Sequence, residues 1–232
     1  MSYGHLFPRL RSAAGPVWPA YVGHPFVTSL GEGSLPRDAF LGYLVQDYLF
    51  LRHFSRAWAL AVTKAETLEE MRYAAAAVHA LLNDEMALHV RLCARVGIGE
   101  DALESAEERL ETLAYTRFVM DAGHMGDFLD LLVALAPCVM GYGEIGLRLR
   151  SGGAGGPYAE WIETYGGDAY QALCHDVGRL MDSAAARRIG APVEDSPRWP
   201  SLAGRFRVAT VLETRFWDMG LAMGDLAAPA EA

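Results

Sequence analysis

The sequence predicts an all-α protein, a single-domain helical bundle. Apolar residues recur at i, i+3, i+4 and i+7 along several long segments. No stretch shows a convincing run of period-two alternation, and neither a strand–helix–strand rhythm nor an internal repeat is present. Hydrophobic residues make up 52% of the 232 positions, enough for a sizeable core and too many for global disorder. The bundle is assigned to residues 1–225, with 226–232 as a frayed tail.

The elements follow in order. Leu6, Leu10, Ala13, Ala14 and Val17 share one helical face and predict a short first helix, limited by Pro16 and Pro19. His24-Pro25-Phe26 opens a second short segment that ends at Gly31 to Gly33. Ser34 reads as the cap of a long helix over 36–64, with Pro36 in its first turn. Its inward face holds Phe40, Tyr43, Leu44, Asp47, Phe50, Leu51, Phe54 and Trp58. A helix over 67–96 starts with a capping box, Thr67 with Glu70, and turns Tyr73, Ala77, Leu81, Glu85, Leu88 and Leu92 inward. Residues 100–111 read as a charged connector helix and 112–122 as an apolar one carrying Tyr115. The helix over 127–150 is strongly apolar and is expected to kink at Pro137. A glycine-rich loop over 151–157 lacks the strand before it and the Gly-Lys-Ser after it that a phosphate cradle needs. Short helix 158–165, a helix capped by Asp168 and reaching Arg188, a loop with three prolines over 191–200, and a last helix over 201–225 complete the chain.

Composition excludes several functions. The formal net charge is −9 and no basic cluster is present, which disfavours nucleic-acid binding, because that affinity comes from lysine and arginine on phosphates. The longest apolar run, 129–140, is too short to span a bilayer and contains Asp130 and Pro137, so no membrane association is expected. The start has no apolar stretch typical of a secretory signal. Cys93, Cys138 and Cys174 are an odd, sparse set without a CxxC pair, which points to neither a disulfide framework nor structural zinc. A reduced, cytoplasmic setting is the expectation.

Three side chains carry potential chemistry. Asp47 and Glu213 each sit on an otherwise apolar helix face. A carboxylate there must find partners or shift its pKa upward. For Asp47, a satisfied structural acid and a ligand-facing group both remain open on position alone. Cys138 follows Pro137, where distorted backbone can present a thiol to a pocket, although a small core cysteine fits the same pattern. Inward aromatics Phe50, Tyr115, Tyr142 and Phe216 add a surface for a flat, polar, basic ring. Glu85 and His89 are one turn apart, a spacing metals use. No second such pair exists, so a structural ion pair or hydrogen bond is the reading and no metal is expected.

At these residues the sequence resembles the TenA/thiaminase II family over most of its length. The resemblance lies in His24-Pro25-Phe26, Gly33-Ser34-Leu35, Phe40, Tyr43 and Gln46-Asp47; in Pro137-Cys138 with Tyr142-Gly143-Glu144-Ile145-Gly146; and in Glu213 with Phe216-Trp217. It implies an all-α, haem-oxygenase-like fold, a homotetramer, and thiamin salvage without metal or organic cofactor. The implied reaction is deamination of 4-amino-5-aminomethyl-2-methylpyrimidine to the hydroxymethyl pyrimidine, with weaker hydrolysis of thiamin. Cys138 resembles the family nucleophile, Asp47 the carboxylate that holds the aminopyrimidine edge, and Glu213 the proton-handling carboxylate. Tyr115, Tyr142 and Tyr165 resemble its pocket tyrosines. One position departs: the family commonly has tyrosine where this chain has Phe50. The missing hydroxyl bears on rate or substrate preference. Alternatives outside this class are a metal-dependent oxidase of related fold and a non-catalytic pyrimidine-binding regulatory protein.

Overall fold

The computed structural model describes residues 2–153 and 156–225; the expected tail at 226–232 lies outside the described residues. Among the described residues every regular element is helical. The elements are α1 (Leu6–Ala14), α2 (Val17–Val22), α3 (Pro25–Glu32), α4 (Arg37–Lys64), α5 (Leu68–Ala80), α6 (Met86–Ala94), α7 (Glu100–Glu104), α8 (Leu110–Met125), α9 (Phe128–Ala136), α10 (Tyr142–Ser151), α11 (Ala159–Gly166), α12 (Asp168–Arg188) and α13 (Trp199–Asp225). Two five-residue π turns, Leu81–Glu85 and Pro137–Gly141, join α5 to α6 and α9 to α10. A short 3-10 turn, Val193–Asp195, precedes α13.

The described residues form two compact units, one within 2–35 and 129–214, the other within 36–128 and 215–225. In the first, α1 is anchored on α12 by Asp182, whose carboxylate accepts hydrogen bonds from the backbone N–H groups of His5 and Leu6. Those N–H groups lie at the open N-terminal end of α1 and otherwise lack partners within the helix. Trp18 stacks on Phe206 at 5.5 Å between ring centroids. Asp130, the acid within the apolar 128–135 run, is held by Arg205 and by Arg198 at 2.7 Å. In the second unit α4 is the central helix, with α5, α6, α7 and α8 packed around it. The predicted inward face of α4 is buried from Phe40 to Trp58. Near its start, α4 is crossed closely by the end of α13, where Gly224 faces the Ala39 side chain.

Several local expectations shift. Pro36, not Ser34, is the N-cap of α4, and the Ser34 hydroxyl is turned back to the Ser29 carbonyl. Gly167 takes the cap position of α12, which leaves Asp168 in the first turn, where its charge suits the helix dipole. The connector helix ends at Glu104, and α8 begins earlier than expected, at Leu110. Thr67 caps α5 by accepting from the Glu70 N–H, while Glu70 returns its carboxylate to the Glu66 N–H, one residue outside the expected box.

At Pro137, where a kink is expected, the helix Phe128–Ser151 carries a π turn, Pro137–Gly141, a feature at which helices bend. Proline has no N–H to donate to the preceding turn. This helix is long and apolar enough to cross a membrane by composition, yet 89% of its most apolar window is buried inside the protein. It is a core helix.

The second π turn has a larger consequence. A π turn adds one residue to the helix and rotates everything beyond it. Ahead of the turn, Glu70, Ala74 and Leu81 are buried; beyond it, His89 and Cys93 join Leu88 inside, while Glu85 and Leu92 are only half-buried. An uninterrupted 3.6-residue period places Glu85 and Leu92 inward instead. Tyr73 and Ala77, ahead of the turn, are half-buried as well, so the expected face departs before the slip, which then carries His89 and Cys93 inward.

Candidate active site

In the first unit the candidate nucleophile sits in the π turn, and side chains of neighbouring helices bond to the turn. The Tyr21 hydroxyl donates to the Pro137 carbonyl at 3.2 Å. The Tyr170 hydroxyl and the Cys174 thiol donate to the Val139 carbonyl at 3.3 and 3.6 Å. Side chains from neighbouring helices thus add donors to two carbonyls of the turn. Gly141 allows Tyr21 to lie there: a Cβ at that position falls 2.6 Å from the tyrosine oxygen. Gly146 allows α11 to approach so closely that its own Cβ falls 2.5 Å from the Gly166 nitrogen. That approach brings Tyr165 edge-on to Tyr142 at 4.9 Å, with Trp161 4.6 Å from Tyr165.

The three cysteines separate by environment. Cys93 and Cys174 are fully buried, whereas Cys138 is half-buried. Burial pushes the Cys174 thiol up to about 12. Burial first, then the charge of Asp47, pushes the Cys93 thiol up to about 11. Neither forms a thiolate readily near neutral pH.

In the second unit Asp47 is buried at 4% exposure. The Tyr43 hydroxyl, one turn earlier on α4, donates to Oδ2 at 3.0 Å. His89 Nε2 lies 2.7 Å from the same oxygen, and His89 Nδ1 lies 3.0 Å from the Glu85 carbonyl. The tyrosine partner is legible from the i, i+4 spacing on α4. The histidine partner is not: its sequence signal was its spacing from Glu85, whose backbone carbonyl is what His89 Nδ1 meets. Burial pulls the His89 pKa down, but the hydrogen bond and charge of Asp47, joined by Glu85, outweigh it and leave the pKa raised. Phe50 packs on Tyr115 at 4.9 Å and meets Phe216 edge-on at 5.8 Å. Phe216 is also edge-on to Tyr43 at 6.1 Å. Asp47, Phe50, Tyr115 and Phe216 therefore form one linked cluster within this unit.

Glu213 belongs to the first unit and precedes Phe216 by one turn along α13. It is 2% exposed, on a face with Phe206, Ala209, Thr210 and Trp217. Among the described residues no group of three or more His, Cys, Asp or Glu side chains is arranged to hold a metal ion. None of these side chains lines the two surface clefts of the first unit, of ≈240 and ≈410 Å³; the larger is lined by Arg11, Trp18 and Glu144.

Comparison with known proteins gives a consistent result. A family model described as TENA/THI-4/PQQC matches residues 11–223. The aminopyrimidine aminohydrolase of Halalkalibacterium halodurans is 35% identical over 90% of this chain and 92% of its own. A solved structure described as a TenA family transcription regulator from Silicibacter sp. TM1040 is 57% identical, with a TM-score of 0.93, over 94% of this chain and 97% of its own. A Shewanella denitrificans domain of unknown function described as having a haem-oxygenase-like fold superposes with a TM-score of 0.72 at 14% identity, over 95% of this chain and 94% of its own. The fold is haem-oxygenase-like, as expected from the sequence.

Proposed function

The chain belongs to the TENA/THI-4/PQQC family, and from that premise we propose that it is an aminopyrimidine aminohydrolase of thiamin salvage. The substrate is 4-amino-5-aminomethyl-2-methylpyrimidine, and thiamin is hydrolysed more weakly. One observation carries the reading most strongly: the half-buried cysteine of the three is the one in the family-like motif. Relatives of similar length bearing the aminohydrolase name support it.

The residues fit the chemistry. An amine on a methylene attached to an aromatic ring leaves poorly until the ring is made electron-rich. In this reading the Cys138 thiolate adds to a ring carbon and breaks the aromaticity. The electron pair then expels ammonia from the methylene, with Glu213 supplying the proton. Glu213 next takes a proton from water, whose oxygen adds to the methylene carbon. Return of the electron pair expels the thiolate and restores the ring. The sum is amine plus water giving alcohol plus ammonia. Asp47 holds the amino edge of the ring, and Phe50, Tyr115, Tyr142, Tyr165 and Phe216 provide stacking area and exclude water. The proposal extends to a cytoplasmic homotetramer, which sedimentation at micromolar concentration checks by mass.

A side-by-side assay on the aminomethyl pyrimidine and thiamin, following ammonia and hydroxymethyl pyrimidine, tests the reading. Release of both products, faster from the aminomethyl pyrimidine, is expected. Tight binding of hydroxymethyl pyrimidine with no turnover would favour a regulatory protein instead, in line with the description of the Silicibacter relative.

A further inference from the structure

The first turn of α12 holds a glutamine that the reaction scheme above does not use. Gln171 is half-buried, and its amide has a partner for each polar hydrogen and for its oxygen. Nε2 donates to the Gly143 carbonyl on α10 and to the Tyr165 carbonyl on α11, both at 3.0 Å. Oε1 accepts from the Tyr3 hydroxyl at 2.7 Å. Only one orientation of the amide serves all three partners, because turning it over sets its oxygen against two carbonyls.

Tyr165 is the last residue but one of α11, so its carbonyl has no donor further along that helix. Gly143 makes the meeting with α10 possible: a Cβ there falls 2.5 Å from Cys174 Sγ and 3.1 Å from the Tyr3 oxygen. Tyr3 is itself buried, and the backbone just after it is fixed by Asp182. Burial first, then Cys174 and Glu144, hold the Tyr3 pKa above the usual tyrosine value, so its hydroxyl stays a donor.

What the amide ties together is a pair of tyrosines. Gly143 directly follows Tyr142, and the other bond is to Tyr165 itself. One side chain thus sets the spacing of the two backbones whose rings meet edge-on at 4.9 Å. Tyr170, the neighbour of Gln171 on α12, also packs edge-on against Tyr165, at 4.9 Å.

We propose that Gln171 is a positioning residue for ring binding: its amide, oriented by Tyr3, holds Tyr142 and Tyr165 in the arrangement that meets the substrate ring. That this ring is an aminopyrimidine rests on the reading above. Such a tether acts before the chemical step, so its loss weakens binding and leaves the chemistry of the thiol in place.

Three measurements test it. In the wild type, the side-chain amide protons of Gln171, assigned by through-bond correlation to its own backbone, should exchange with solvent roughly 100-fold more slowly than those of an exposed glutamine. Exchange at the exposed rate overturns the proposal, and this readout needs neither substrate nor a variant. Second, ¹⁹F spectra of fluorotyrosine-labelled protein, assigned with tyrosine-to-phenylalanine variants, should show the Tyr142 and Tyr165 resonances shifted or broadened in Gln171→Met, with those of Tyr43 and Tyr115 in place. Third, KM for the aminomethyl pyrimidine should rise about 10-fold in Gln171→Met with kcat within about 3-fold of wild type. Tyr3→Phe, which keeps both carbonyl bonds, should raise KM by about 3-fold, and should add nothing in the Gln171→Met background, because it acts through the lost amide. A natively folded Gln171→Met with wild-type tyrosine resonances or wild-type KM overturns the proposal, as does a further rise in the double variant. If Gln171→Met does not fold, unmoved Tyr142 and Tyr165 resonances in Tyr3→Phe overturn it instead. Slow amide exchange and moved resonances, together with a wild type that releases no ammonia, remove the deaminase reading and leave the positioning of the tyrosine pair standing.

Discussion

The two π turns make an instructive pair. At Pro137–Gly141 the cause is written in the chain: a proline withholds a donor from the preceding turn, and Tyr21, Tyr170 and Cys174 donate to the Pro137 and Val139 carbonyls within the turn. At Leu81–Glu85 there is no proline or glycine, and the residues Leu-Leu-Asn-Asp-Glu suit an ordinary helix. There the local compensation is polar and nearby: Asn83 donates to the His79 carbonyl at 2.8 Å, and His89 meets the Glu85 carbonyl. The first turn holds a candidate catalytic thiol. The second supplies a partner to a candidate binding carboxylate by rotating the helix beyond it. The same irregularity thus serves two ends, and only one of them is announced by residue type.

The largest expected effect breaks the comparison at its first member. Cys138→Ala should lower turnover by roughly 10³-fold or more while leaving pyrimidine binding and helical content intact. Cys93→Ala and Cys174→Ala should stay within about 3-fold of wild-type activity, since a buried thiol with a raised pKa is no nucleophile. Wild-type-like hydrolysis by Cys138→Ala, measured by ammonia release, ends the cysteine reading.

Next comes the second turn. Deleting Asn83 removes the extra residue and should return the segment to an α-helical register. His89 then rotates off Asp47, and kcat/KM should fall by roughly 100-fold without loss of circular-dichroism helicity. Retained activity means that the slip is packing without consequence for the site.

The two carboxylates separate binding from chemistry. Glu213→Gln should cost roughly 100-fold in kcat with KM near wild type, and Asp47→Asn about 10-fold in KM with a smaller change in kcat. Steady-state kinetics showing both variants raised in KM alone refutes the assignment.

The smallest effect is at Phe50. Its ring already touches Tyr115 and Phe216, so a tyrosine keeps the stacking and adds a hydroxyl. Phe50→Tyr should raise kcat/KM for the aminomethyl pyrimidine by about 3-fold, less than a full charged hydrogen bond gives, because inserting an atom into a packed cluster has its own cost. An unchanged or lower value shows that the absent hydroxyl does not limit this protein.

The sequence by itself determined the helical class, the extent of α4, the inward placement of Asp47 and Glu213, and the singular position of Cys138. These follow from periodicity and residue chemistry, which act within one helix and need no partner to be read. Even the Tyr43–Asp47 bond is of this local kind, four residues apart on one face. Tertiary structure alone decided the rest. Gly141 and Gly146 acquire their meaning from Tyr21 and from the α11 backbone, which approach from remote parts of the chain. His89 becomes the partner of Asp47 across 42 residues because a π turn shifts the helical register by one. A π turn is worth forming only when the contacts beyond it repay the distorted helix, and those contacts are made by other helices. No local pattern in Leu81 to Glu85 records them.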